Sequence, residues 1–98
     1  MEEFFENELI RKFEEMVENN DELYFETEEY EDIIIYYLEM GDISFAEMAT
    51  NYALKLHPNS LELKIKKFEV LLELENYTQA NELMQELQEA SMESTDFL

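Results

Sequence analysis

Three observations predict an all-α chain of the helical-repeat kind, with about five antiparallel helices. Apolar residues recur every three to four positions along most of the 98 residues, which is the rhythm of one helix face. The chain has one glycine and one proline, too few for the turns of an all-β fold, and helix formers (Glu, Leu, Met, Ala) dominate it. It also matches itself at an offset of 34 residues: Leu38-Glu39-Met40 falls on Leu72-Glu73-Leu74, Asp42 on Asn76, Ser44 on Thr78, Ala46 on Ala80 and Ser60 on Ser94. A helical hairpin repeated at that period cannot bury its apolar face alone and stacks on its neighbours.

Helices are expected near residues 3–19, 28–40, 43–57, 60–75 and 77–91. In the first, Phe5, Leu9, Phe13 and Met16, with Phe4, Ile10 and Val17 beside them, form a broad apolar stripe among glutamates. It has no hairpin partner, so residues 3–26 are expected to be a helix capping the open end of the first repeat, plus a connector. Its two basic residues are fewer than a membrane-surface helix requires. Asn19-Asn20-Asp21 interrupts the pattern with turn chemistry. Leu23, Tyr24 and Phe25 are expected to plug the gap before the first repeat.

The first repeat spans residues 27–60. Thr27 is expected as N-cap, with Glu28 and Glu29 in the first turn where the helix dipole favours them. Ile33, Ile34, Tyr37 and Leu38 make the apolar face, which Gly41 closes. Asp42 or Ser44 then caps a second helix, Ser44 and Glu47 having capping-box spacing. Ala46, Ala49, Tyr52, Ala53 and Leu56 point inward, and His57-Pro58 stops the helix. The second repeat, 61–94, follows an Asn59-Ser60 cap, with Leu61, Ile65, Phe68, Leu71 and Leu72 as its inward stripe. Glu75-Asn76 turns the chain into a helix carrying Tyr77, Ala80, Leu83, Met84 and Leu87. Residues 95–98, with Ser94, resemble the opening of a third repeat, so the sequence is expected to be the N-terminal part of a longer array.

A hairpin repeating every 34 residues resembles the tetratricopeptide-repeat family, over roughly residues 27–94. Against the pattern W-x-x-L-G-x-x-Y…A-x-x-x-F…P, the first repeat matches at Tyr37, Ala46 and Pro58 and conservatively at Tyr30 and Ile33. It departs at Ile34 and Thr50, and the second repeat departs further, with Lys64, Lys67 and Met92 at the Trp, Leu and Pro places. The resemblance implies that the first helix of each hairpin lines a concave groove for a peptide or partner helix. By spacing, that groove would present Glu28, Glu31, Ile35, Leu38 and Glu39 from the first repeat. From the second it would present Glu62, Ile65, Glu69, Leu72 and Glu73. Relatives that clamp a C-terminal carboxylate use Lys, Arg and Asn at such places; none stands at these ten positions, so that activity is not expected.

The charge balance is extreme, −20 from 26 acidic against six basic residues. Such a surface repels phosphate backbones, which argues against direct nucleic-acid binding, and attracts basic partners. The expected function is a non-enzymatic interaction module holding a basic or amphipathic segment of a partner protein. The alternative is an acidic DNA mimic, which would need carboxylates spaced like phosphates on one face. No apolar run approaches a membrane span, and the acidic Met1-Glu2-Glu3 start does not resemble a secretory signal. The absence of cysteine is compatible with a reducing cytoplasm, the expected location, and excludes thiolate chemistry.

Catalytic signatures are missing. The single glycine cannot build a phosphate-cradling loop, and Gly41 lies in no alternating array of oxygen ligands such as a calcium-binding loop needs. No serine sits in a nucleophile-elbow context. Adjacent glutamates such as Glu14/Glu15 and Glu28/Glu29 diverge on a helix. His57, the sole histidine, has Leu54 and not a glutamate three residues before it, so no carboxylate-metal motif forms. No catalytic, metal or cofactor site is expected. Lys64, Lys66 and Lys67, the one basic cluster, are expected to offset nearby glutamates. Leu83, Met84, Leu87 and Phe97 would lack cover at the end of the chain, which predicts self-association, most simply as a dimer.

Overall fold

The computed structural model describes the chain from Glu2 to Thr95, with side chains from Glu8 to Ala90. It has five helices: α1 (Glu2–Asn19), α2 (Thr27–Met40), α3 (Ile43–Leu56), α4 (Leu61–Glu73) and α5 (Tyr77–Thr95). No strand occurs among the described residues. The 34-residue self-match reappears as geometry at two turns. Gly41 (φ 79°) and Glu75 (φ 58°) both take the left-handed conformation. Gly41 N–H reaches the Leu38 carbonyl and Asp42 N–H the Tyr37 carbonyl; Glu75 and Asn76 donate in the same way to Leu72 and Leu71. This Schellman closure satisfies carbonyls that the helix end leaves orphaned. The next helix is then capped alike: Asp42 Oδ1 accepts from Phe45 N–H at 3.2 Å, and Asn76 Oδ1 from Gln79 N–H at 3.3 Å. So short a reversal lays α3 antiparallel on α2 and α5 on α4. Between the hairpins, Pro58 follows the end of α3, and Ser60 Oγ accepts from Leu63 N–H at 3.3 Å to start α4.

Each helix from α1 to α5 packs on the next, and α2 also lies against α4, so the first helices of the two hairpins are neighbours. Burial repeats at the same offset, in the pairs Tyr37/Leu71, Ala46/Ala80 and Ala49/Leu83. The alanines keep α3 and α5 thin where other helices approach. The main core is aromatic on its α1 side. Phe13 is fully buried, its ring edge-on to those of Phe25, Tyr30, Phe45 and Tyr52 at 5.8–6.4 Å between centroids. Such edge-to-face pairs suit the ring quadrupoles. The Tyr37 hydroxyl donates to a Glu14 carboxylate oxygen at 2.6 Å, tying α1 to α2. Helix α1 thus packs on the first hairpin through Phe13 and Glu14.

Several local expectations are corrected. Glu26, not Thr27, is the N-cap of α2, its N–H donating to Glu29 at 2.8 Å; the Glu29 carboxylate occupies the position that makes this reciprocal contact possible. Ser44 is the second residue of α3, exposed, and Asp42 alone caps. Of the connector, only Phe25 plugs the core, while Leu23 and Tyr24 are 45% and 63% exposed. In α4 the buried residues are Leu63, Val70 and Leu71; Leu61, Ile65 and Leu72 face solvent and Phe68 is half-buried. This helix has apolar residues on two faces, and the one meeting α3 won. Leu56 and Tyr77 are likewise exposed. Helix α5 runs through Ser94 and Thr95, expected to open a third repeat. The side chains of Phe4 and Phe5 and all of residues 96–98 lie outside the described residues.

Candidate functional site

The α2–α4 pairing decides where the candidate groove lies. Ile35, Leu38 and Glu39 are on the outer face of α2, and their partners Glu69, Leu72 and Glu73 stand at the 34-residue offset on α4. Because the two helices are neighbours in the same register, these six side chains meet around one depression of about 370 Å³. Its floor is Ile35, Leu38 and Leu72, and three carboxylates surround it. Leu72 is 42% exposed, so the floor is open to solvent. The other four expected groove residues do not line it. Glu28 and Glu62 are exposed and Glu31 is half-buried, all outside its lining. Ile65, 48% exposed, lies two turns before Leu72 on the same face of α4.

The electrostatics of this face are almost wholly anionic. Glu69 is bonded to Lys66 at 3.1 Å, an exposed pair of small energetic weight. Lys64 turns the other way and pairs with Glu86 of α5 at 2.8 Å. Both lysines offset glutamates as expected. Lys67 lines a separate depression of about 250 Å³ between α4 and α5. Carboxylates over an apolar floor are complementary to cationic, partly apolar groups. Among the described residues no group of three or more His, Asp or Glu side chains converges as a metal site.

His57 has a structural place. Its Nε2 lies 2.8 Å from the Phe25 carbonyl and donates to it, latching the connector to the end of α3. The Tyr24 and Tyr30 rings stand edge-on to the imidazole at 5.5 and 6.3 Å. The expected self-association face is largely used within the chain. Leu83 is 9% exposed and packs with Leu71 and Ala80, and Leu87 is half-buried on the same cluster. Met84 stays exposed, and Phe97 lies outside the described residues. A cleft that sequence reasoning missed, of about 480 Å³, opens between α1 and the connector, with Leu9, Lys12, Leu23 and Tyr24 in its lining. Its trace in the sequence is the apolar run Leu23-Tyr24-Phe25 in an otherwise polar connector.

Comparisons with protein-family models, with curated proteins and with solved structures find no match to this chain. None of the helices is long and apolar enough to cross a membrane, among the described residues.

Proposed function

We propose that this chain is a non-enzymatic protein-interaction module of the tetratricopeptide-repeat kind, holding a basic or amphipathic segment of a partner protein in the α2–α4 groove. The observation that carries this reading is the meeting of Ile35, Leu38 and Leu72 with Glu39, Glu69 and Glu73 around one open depression. The net charge of −20 adds long-range attraction to a cationic partner and repulsion from nucleic acid. The cysteine-free composition suits a cytoplasmic place of action.

The test is association with a Lys/Leu peptide by stopped-flow fluorescence, comparing two charge-reversed pairs. Glu69→Lys with Glu73→Lys alters the groove. Glu15→Lys with Glu18→Lys alters exposed positions on α1 and leaves Glu14 to hold Tyr37. The groove pair should slow association by about tenfold at low salt, and the difference should shrink as salt screens the field. Equal slowing by both pairs points to generic charge attraction and overturns the groove.

A further inference from the structure

The α2–α4 depression offers hydrogen-bond acceptors and no donors. Its six lining side chains are three aliphatic groups and three carboxylates, and an ionised carboxylate can only accept. Lys66, on the neighbouring turn of α4, is not among the lining side chains and is tied to Glu69 at the edge. An extended peptide laid across this floor would bring one N–H and one carbonyl per residue to it. The N–H groups would find carboxylates, but carbonyls turned to the floor would find no partner, at a cost comparable to a lost hydrogen bond each. A helix brings no such deficit, because its backbone groups are bonded within the segment.

The shape of the apolar surface agrees. Leu61, Ile65 and Leu72 are 50%, 48% and 42% exposed. At 100° per residue they fall within about 40° of one another, and at 1.5 Å rise they form a strip about 16 Å long. That is three helical turns. Glu69 and Glu73 run along its flank toward α2, where Ile35 and Leu38 widen the apolar floor. We infer that the occupant of the groove binds as a cationic amphipathic helix of about three turns. Its apolar stripe lies on the α4 strip, and its Lys or Arg side chains meet the flanking carboxylates. This rests on the proposed groove and specifies the conformation of what enters it.

The experiment uses the full chain and three synthetic Leu/Lys peptides of about fourteen residues. One spaces leucine at helical period; a second has the same composition with strict alternation; the third is the helical-period peptide with a central proline. Calorimetry gives the affinities, and far-UV circular dichroism gives the helicity gained on mixing. The helical-period peptide should bind about tenfold or more tightly than the other two, gain helix on binding, and weaken with Leu72→Gln and Ile65→Gln. Both substitutions are at exposed positions, and a melt of each free variant confirms its fold. Equal or tighter binding of the alternating peptide, still sensitive to Leu72→Gln, overturns the helical occupant and leaves the groove standing. No binding by any peptide, or binding indifferent to both substitutions, overturns the groove as well.

Discussion

Replacing Glu75 by glycine should make this protein more stable, although it deletes a side chain and adds no contact. Glu75 closes α4 at φ 58°, the place that Gly41 takes at φ 79° in the first hairpin. An L-residue pays about 1–2 kcal/mol to hold the left-handed conformation. Glycine avoids that cost but loses about 0.5–1 kcal/mol through the greater freedom of its unfolded chain. The difference predicts a gain of about 0.5–1 kcal/mol for Glu75→Gly. Gly41→Ala runs the comparison backwards. A β-carbon at Gly41 would meet nothing within 4 Å, so its cost is conformational alone and should be a loss of about 1 kcal/mol. Urea unfolding followed at 222 nm measures both, and an unchanged slope shows that the surface exposed on unfolding is the same in each variant. In a domain of this size 1 kcal/mol moves the melting temperature by about 4–8 °C. A lower midpoint for Glu75→Gly, or no change for Gly41→Ala, would refute the equivalence of the two turns.

The other predictions concern the core. Ala46→Leu and Ala80→Leu should each cost about 1–3 kcal/mol by overpacking, since both alanines are buried at helix contacts; melts of both matching the parent would sink the repeat register. Phe13→Ala should cost about 3–5 kcal/mol, because it empties the site where four other rings meet Phe13 edge-on; a loss under about 1 kcal/mol would show that α1 docks without it. Alkali should unfold the chain. Burial, with Tyr52 adding to it, pushes Tyr30 up to about 12 from the ordinary 10.0. Burial and the hydrogen bond to Glu14 move Tyr37 in the same direction. Both folded values are raised, so the unfolded phenols ionise first. Their contribution is complete below pH 10 and is lost as pH rises through Tyr30's value of about 12. Helical ellipticity that persists unchanged across that window would contradict the burial of these hydroxyls.

The sequence by itself determined the five helices and the two matching turns, because those features are set by residues within a few positions of one another. Asp42 and Asn76 cap the third residue after them, and an apolar period of 3.6 needs only one helix to be read. The meeting of Ile35, Leu38, Glu39, Glu69, Leu72 and Glu73 around one depression also follows from spacing, since a fixed offset on two neighbouring helices brings the same face of each together. The tertiary structure decided the rest. Helix α4 has Leu63, Val70 and Leu71 on one side and Leu61, Ile65 and Leu72 on another, and its own period does not choose between them. The choice came from what α3 and α5 present, and it left the second stripe exposed to solvent. Nor does any local signal join Phe13 to rings up to 39 residues away (Tyr52), or His57 to the carbonyl of Phe25. Those contacts exist because α1 and the connector fold back over the first hairpin, where burial favours the arrangement that covers the most apolar surface.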